Sequence, residues 1–166
     1  MFVYCNNSAM LVVLVYVDDI TVTGSSSLLI EQFMSSLNSC FALKDLGPLN
    51  FFLRIKVLNF GSSLHLSQAR YICDLLQSAG LSESKSMTSP MAAGSVLSID
   101  DGTRLEDPTL YRSLVGALQY CTITRPYIAY TVHNLCQFMH APTSTHLQVV
   151  KCVLHYLKGS LLGILP

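Results

Sequence analysis

The sequence is short of charged residues and of long apolar runs. Asp, Glu, Lys and Arg make up 12% of the 166 residues, about half of the usual share of roughly 25%. Such a chain is either compact and poorly soluble, or has a surface that meets further protein. The longest apolar run, residues 9–17, is too short for the ~20 residues of a membrane span. Because no signal-peptide pattern precedes it, we expect an intracellular protein without a membrane partner.

The sequence also lacks closely spaced cysteine pairs, and its second half lacks acidic residues. The six cysteines form no C-x-x-C pair, which argues against a zinc site and favours free thiols. Neither Asp nor Glu occurs from Pro108 to Pro166. The basic residues of this stretch are Arg112, Arg125, Lys151 and Lys158. A stretch with positive charge alone is compatible with phosphate binding, and equally with solvated helix faces.

The first half of the sequence is patterned for strands. Residues 10–17 are continuously apolar and rich in β-branched side chains, which predicts a strand buried on both faces. Asp18 and Asp19 interrupt this run before residues 20–23 resume it, so we expect a hairpin with two carboxylates at its tip. Helical spacing predicts helices at residues 28–40 and 68–78. Residues 49–58 are apolar and strand-like, and residues 64–66 are expected to pair back on them as a second hairpin.

The second half of the sequence is patterned for helices. Residues 82–106 are rich in Ser, Met, Gly and Ala and predict a linker. Helices are expected to follow Asp107-Pro108, Arg125-Pro126 and Pro142-Thr143. The predicted fold class is therefore α+β. It comprises an antiparallel sheet with packed helices in residues 1–81, a linker in 82–106 and a C-terminal helical bundle in 107–166.

The adjacent carboxylates Asp18 and Asp19 are the strongest chemical signal. Burying one unpaired carboxylate costs several kcal/mol, and a divalent cation would offset that cost. Mg²⁺ takes hard oxygen ligands, and two ions ~4 Å apart can clamp the attacking and leaving oxygens of a nucleotidyl transfer. The alternative is a polar turn whose aspartates face water, and the spacing alone does not separate the two.

An ordered series of motifs resembles copia-type retrotransposon reverse transcriptases. Tyr16-Val17-Asp18-Asp19, between apolar and β-branched residues, is similar to their Y-x-D-D box. The series continues along most of the chain with FALKDLG at residues 41–47, FFLRIKV at 51–57, LSQ at 66–68, LVGALQY at 114–120, TRP at 124–126, QFMH at 137–140 and LKG at 157–159. The box alone is weakly specific, whereas the order and spacing of the whole series are highly specific.

The resemblance implies a polymerase palm around the hairpins, followed by thumb and connection regions. Asp18 and Asp19 would be the catalytic residues and ligands of a two-metal Mg²⁺ site, with Tyr16 near the primer end. A turn of Phe52, Leu53, Arg54 and Ile55 would help to hold the primer, and Arg112, Arg125, Lys151 and Lys158 are candidates for phosphate contact. The implied partners are an RNA or DNA template-primer, deoxynucleotides, and the fingers and RNase H regions of the family, which the motif series does not include.

Departures from the family pattern leave three hypotheses open. No acidic residue precedes Asp18 in this chain, although the family carries a further metal-binding aspartate upstream of the box. A family glycine is Arg54 here, a glutamate is Lys56, and the Asp of Arg-Pro-Asp is Tyr127. The chain is accordingly a part of an RNA-directed DNA polymerase that is inactive alone, a non-catalytic nucleic-acid-binding module, or a decayed retrotransposon remnant.

Overall fold

The chain divides into two compact units with different secondary structure. The computed structural model describes residues 1–6, 9–91 and 97–161. The first unit covers residues 1–65 and the second covers residues 66–166. Two small antiparallel sheets and a series of helices make the chain mixed α and β. No helix in these described ranges is long and apolar enough to cross a membrane.

The first sheet has the order β1-β2-β3. Its strands are β1, Phe2–Cys5; β2, Met10–Tyr16; and β3, Asp19–Gly24. Helix α1, Ser27–Cys40, follows and packs on β3. Within β2 only Leu11 and Val13 are buried. The prediction of a strand buried on both faces is therefore wrong, because only alternate residues of β2 face α1.

The second sheet has the order β4-β5-β6. Its strands are β4, Phe51–Phe52; β5, Ile55–Phe60; and β6, Ser63–Ser67, in which the boundary between the units falls. The strand predicted over residues 49–58 is broken by a turn at Leu53 and Arg54. Neither Leu53 nor Arg54 is a glycine or an asparagine, so the local sequence gives no sign of such a turn.

Helices α2 to α5 of the second unit enclose one apolar core. They are α2, Ala69–Ser78; α3, Thr109–Cys121; α4, Ala129–Cys136, preceded by a 3₁₀ turn at Pro126–Ile128; and α5, Ser144–Ser160. The core includes the fully buried side chains of Ile72, Tyr111, Leu118 and Leu157. Tyr111 donates its phenolic hydroxyl to the carbonyl oxygen of Leu135 at 2.8 Å, so α3 is tied to α4 by a hydrogen bond inside the core.

The described parts of the predicted linker are held against α5. Near one end of this helix, the Lys158 ammonium donates to the carbonyl oxygens of Ser82 and Ser84. Near the other end, the Ser144 amide donates to the Thr103 carbonyl oxygen at 2.8 Å. Residues 92–96 of the predicted linker lie outside the described residues. The division into segments 1–81, 82–106 and 107–166 stays a prediction.

Candidate functional site

The hairpin of β2 and β3 turns through Val17 and Asp18. Tyr16 pairs with Asp19 directly below this two-residue loop. Val17 has a φ of +49°, whereas φ at Asp18 is not positive. A positive φ at the first central residue alone is the pattern of a type II′ turn, which usually places glycine there. A β-branched residue in this conformation is strained, so the strand pairing on both sides holds the tip in place.

Asp18 and Asp19 present two adjacent carboxylates at this tip. Asp18 lies in the turn, Asp19 begins β3, and both side chains are exposed. In the ranges that the structure describes, no group of three or more His, Cys, Asp or Glu side chains could hold a metal ion. Mg²⁺ is commonly held by one or two protein carboxylates together with waters and substrate phosphates. Asp18 and Asp19 could therefore supply the protein ligands of such a Mg²⁺ site. The same arrangement is also compatible with a polar turn that only faces water.

The far end of the same hairpin depends on Gly24 and Ser25, which the sequence analysis did not single out. A Cβ on Gly24 would lie 2.6 Å from the carbonyl oxygen of Met10, closer than a real side chain allows. The Met10 amide donates to the Ser25 hydroxyl oxygen at 2.9 Å, and the Ser25 amide returns a bond to the Met10 carbonyl oxygen at 2.9 Å. A glycine immediately after β-branched residues was the available signal for this close approach.

The residues predicted to contact the primer form the second tight hairpin. Phe52 pairs with Ile55 across Leu53 and Arg54. Leu53 has a φ of +49° and Arg54 a φ of +61°. Two successive positive φ values define a type I′ turn, which strongly prefers Asn-Gly. The structure thus has a turn where the resemblance implied one, and contact of this turn with a primer stays a prediction.

Arg112 and Lys158, two of the four basic candidates, donate to backbone carbonyls within the chain. The Arg112 guanidinium donates to the carbonyl oxygen of Met139 at 2.9 Å and to that of His140 at 3.3 Å. Lys158 binds the segment at Ser82 and Ser84, as described above. These contacts stabilise the second unit, and a phosphate contact by either residue stays a prediction.

Arg125 and Lys151 differ from each other in environment. Lys151 is exposed on α5. Arg125 is partly buried, and within the described chain its buried Nε has no hydrogen-bond partner. Burial raises the pKa of the nearby Cys121 thiol to about 12, although the Arg125 charge acts in the opposite direction. Cys121 is therefore a protonated thiol at neutral pH. Nucleic-acid contact by Arg125 or Lys151 stays a prediction.

Residues 1–93 match the family described as reverse transcriptase (RNA-dependent DNA polymerase). The retrovirus-related Pol polyprotein from transposon RE1 of Arabidopsis thaliana is 45% identical over 96% of this chain and 11% of its own length. The corresponding polyprotein from transposon TNT 1-94 of Nicotiana tabacum is 33% identical over 90% of this chain and 12% of its own length. An uncharacterized mitochondrial protein of Arabidopsis thaliana is 43% identical over 89% of this chain and 61% of its own length. No solved structure matches the chain.

The chain therefore belongs to the reverse transcriptase family, whose members generally use divalent metal ions and act on a nucleic-acid template-primer. Its similarity to the transposon polyproteins confirms the copia-type assignment made from the motif series. The chain spans about a tenth of the length of these polyproteins. It corresponds to a limited part of them, the part that contains the Tyr16–Asp19 box.

Proposed function

We propose that this chain supplies the carboxylate hairpin of a metal-dependent RNA-directed DNA polymerase and cannot complete the reaction alone. The observation that carries the proposal is the pair of exposed carboxylates, Asp18 and Asp19, on a tip fixed by the pairing of Tyr16 with Asp19. Rigid placement matters because nucleotidyl transfer depends on positioning and on charge neutralisation around the reacting phosphate.

The proposed reaction is addition of a deoxynucleotide to a primer 3′ end on an RNA or DNA template. Asp18 and Asp19 would hold Mg²⁺, and the ions would in turn bind the phosphates of the incoming nucleotide. The 3′ hydroxyl oxygen of the primer would bond to the α-phosphorus of the nucleotide as the bond between the α- and β-phosphates breaks. Pyrophosphate would leave, and the hydroxyl proton would pass to solvent. We assign Tyr16 of the first sheet and the Phe52–Ile55 turn of the second sheet to positioning of the primer, as parts of a polymerase palm.

Two carboxylates are few for a pair of divalent ions, because each ion needs about six oxygen ligands. We therefore expect this 166-residue chain to add no nucleotide to a labelled primer-template in Mg²⁺ or Mn²⁺. Extension that the Asp18→Asn substitution abolishes would show that the chain is a complete polymerase and would refute the second half of the proposal.

The metal-holding role can be measured independently of catalysis. Mn²⁺ is paramagnetic, so at low concentration it should first broaden the NMR signals of residues 16–19. The chain contains a second adjacent pair, Asp100 and Asp101, in which one Asp101 carboxylate oxygen already accepts the Ser98 amide at 3.2 Å. This pair is the matched control.

Asp18→Asn should remove the broadening at residues 16–19, and Asp101→Asn should leave it unchanged. Broadening that starts at residues 100–101, or that survives Asp18→Asn together with Asp19→Asn, would contradict a metal site at the hairpin tip.

A further inference from the structure

The first unit buries few of its apolar side chains. Its buried apolar residues, within the described ranges, are Leu11, Val13 and Val57. By contrast, the second unit contains the large cluster around α3 and α5. A domain of this size needs a larger core to be stable by itself, and exposed contiguous apolar surface marks an interaction site.

Part of the exposed apolar surface of the first unit lines a groove of about 550 Å³ beside β1. Its lining includes Phe2, Val3 and Tyr4 of β1 and Leu29 and Phe33 of α1. Because α1 packs on β3, the β1 side of the sheet is the side left open. The residues that line this groove include no Asp, Glu, Lys or Arg. An acidic, basic or phosphate-bearing ligand would therefore find no charged partner there.

Strand β1 is also an unprotected sheet edge. It lies at the outside of the order β1-β2-β3, and its sequence Phe2-Val3-Tyr4-Cys5 contains neither a charged residue nor proline. Soluble proteins usually protect such edges with lysine, proline or a bulge, because the free N–H and C=O groups can pair with another strand. The apolar groove and the open edge thus form one continuous surface.

We infer that this surface binds a second copy of the chain, with β1 pairing antiparallel to its twofold mate. Phe2, Val3 and Tyr4 are 68%, 55% and 54% exposed. With Val15 and Ile20 they offer roughly 500 Å² of apolar area, since aromatic side chains bury about 150–250 Å² each. Two copies then bury roughly 1,000 Å², the area at which specific interfaces begin.

A second copy fits this surface better than a charged partner does. A twofold interface needs a self-complementary patch, and an uncharged strand beside an apolar groove is self-complementary. The formal net charge of zero at pH 7 means that two copies do not repel each other. The resulting pair would carry one six-stranded sheet, with the two Tyr16–Asp19 tips related by the twofold axis.

Sedimentation equilibrium of the whole chain between about 1 and 100 μM tests this inference. We expect a reversible equilibrium between the 18.3 kDa chain and a species of twice that mass. Val3→Lys should abolish the dimer, because it places two like charges at the paired edges. Ile123→Lys is the matched control, since Ile123 is 56% exposed in the second unit, and it should dimerise like the unsubstituted chain.

A second, milder variant is needed in case Val3→Lys does not fold. Val3→Thr keeps the shape and the strand preference of valine, yet puts a hydroxyl into the interface of both copies. It should weaken dimerisation about tenfold or more. In hydrogen exchange, the β1 amides should exchange more slowly as the concentration of the unsubstituted chain rises.

Three results would overturn the inference. The first is a monomer at every concentration, which would also be the result if another part of the chain covered the groove. The second is open-ended growth beyond the dimer, which would mean head-to-tail rather than twofold pairing. The third is a dimer that both Val3→Lys and Val3→Thr leave unweakened.

Discussion

Replacing Arg54 by glycine should leave the chain more stable than replacing it by alanine. Arg54 occupies the second central position of a type I′ turn with a φ of +61°. A left-handed conformation costs a residue with a Cβ roughly 1–2 kcal/mol, whereas the greater freedom of glycine in the unfolded chain costs about 0.5–1 kcal/mol. The difference favours glycine over alanine at this position by about 1 kcal/mol.

Arg54→Ala is the necessary reference, because both substitutions remove the same contacts and the same charge. Urea denaturation followed by circular dichroism should give a free energy of unfolding about 1 kcal/mol higher for Arg54→Gly than for Arg54→Ala. If the whole chain unfolds together, the melting temperatures should differ by roughly 2–4 °C. Slower hydrogen exchange at Phe52 and Ile55 in the glycine variant would place the effect at the turn.

Lys151 provides a control in which the glycine variant should be less stable than the alanine variant. It is exposed within α5, Ser144–Ser160, where glycine is less favourable than alanine by about 1 kcal/mol. Lys151→Gly should accordingly be less stable than Lys151→Ala. If Arg54→Gly were no more stable than Arg54→Ala while the Lys151 pair behaved as expected, the turn would not hold the strain assigned to it.

Two further predictions concern buried polar groups of the second unit. Tyr111→Phe should lower the free energy of unfolding by about 1–2 kcal/mol, because it deletes the hydroxyl that donates to the Leu135 carbonyl oxygen inside the core. Burial lowers the pKa of His146 below its ordinary value of 6.5. The unfolded chain therefore binds more protons than the folded chain below pH 6.5, and this contribution should reduce stability as the pH falls, by at most about 1.4 kcal/mol per pH unit.

The controls for these two predictions lie in the same unit. Tyr130 is 73% exposed, so Tyr130→Phe should change stability little, and an equal loss in both tyrosine variants would contradict the core hydrogen bond. His146 Nδ1 accepts the Thr143 amide at 3.0 Å at the start of α5. Glutamine also serves in this capping position without titrating, so His146→Gln should flatten the pH dependence below 6.5. An unchanged pH profile would exclude His146 as its source.

Local patterns predicted the hairpin tip and most elements of the fold. The helix predicted at residues 28–40 is α1, Ser27–Cys40, and its N-cap is Ser26, whose hydroxyl oxygen accepts the Leu29 amide. The hairpin tip at Asp18 was equally predictable from the sequence, because two adjacent charged residues inside a β-branched run favour a turn at that point. These features depend on residues within one or two turns of each other, so a single sequence contains the necessary information.

The features that sequence missed depend on distant contacts or on strained backbone. Only the family resemblance implied the turn at Leu53 and Arg54, because neither residue is of a type that such a turn prefers. The composition of the serine-rich segment that begins at Ser82 likewise does not show that Lys158 and His155 bind its carbonyl oxygens. The one-sided burial of β2 likewise depends on what covers the sheet, which the strand's own residues do not specify.

The bonds between α5 and the residue 82–85 segment set an order of events during synthesis. Lys158 is 76 residues from Ser82 along the chain and 74 from Ser84, and His155 is 70 from Lys85. A growing chain cannot close these contacts until α5 has emerged from the ribosome, whereas the hairpins of the first unit need only adjacent residues. Translation delivers about 5–20 residues per second, so the carboxylate hairpin is synthesised several seconds before the second unit can close. During that interval the exposed edge of β1 is open to chaperones or to neighbouring chains on the same message.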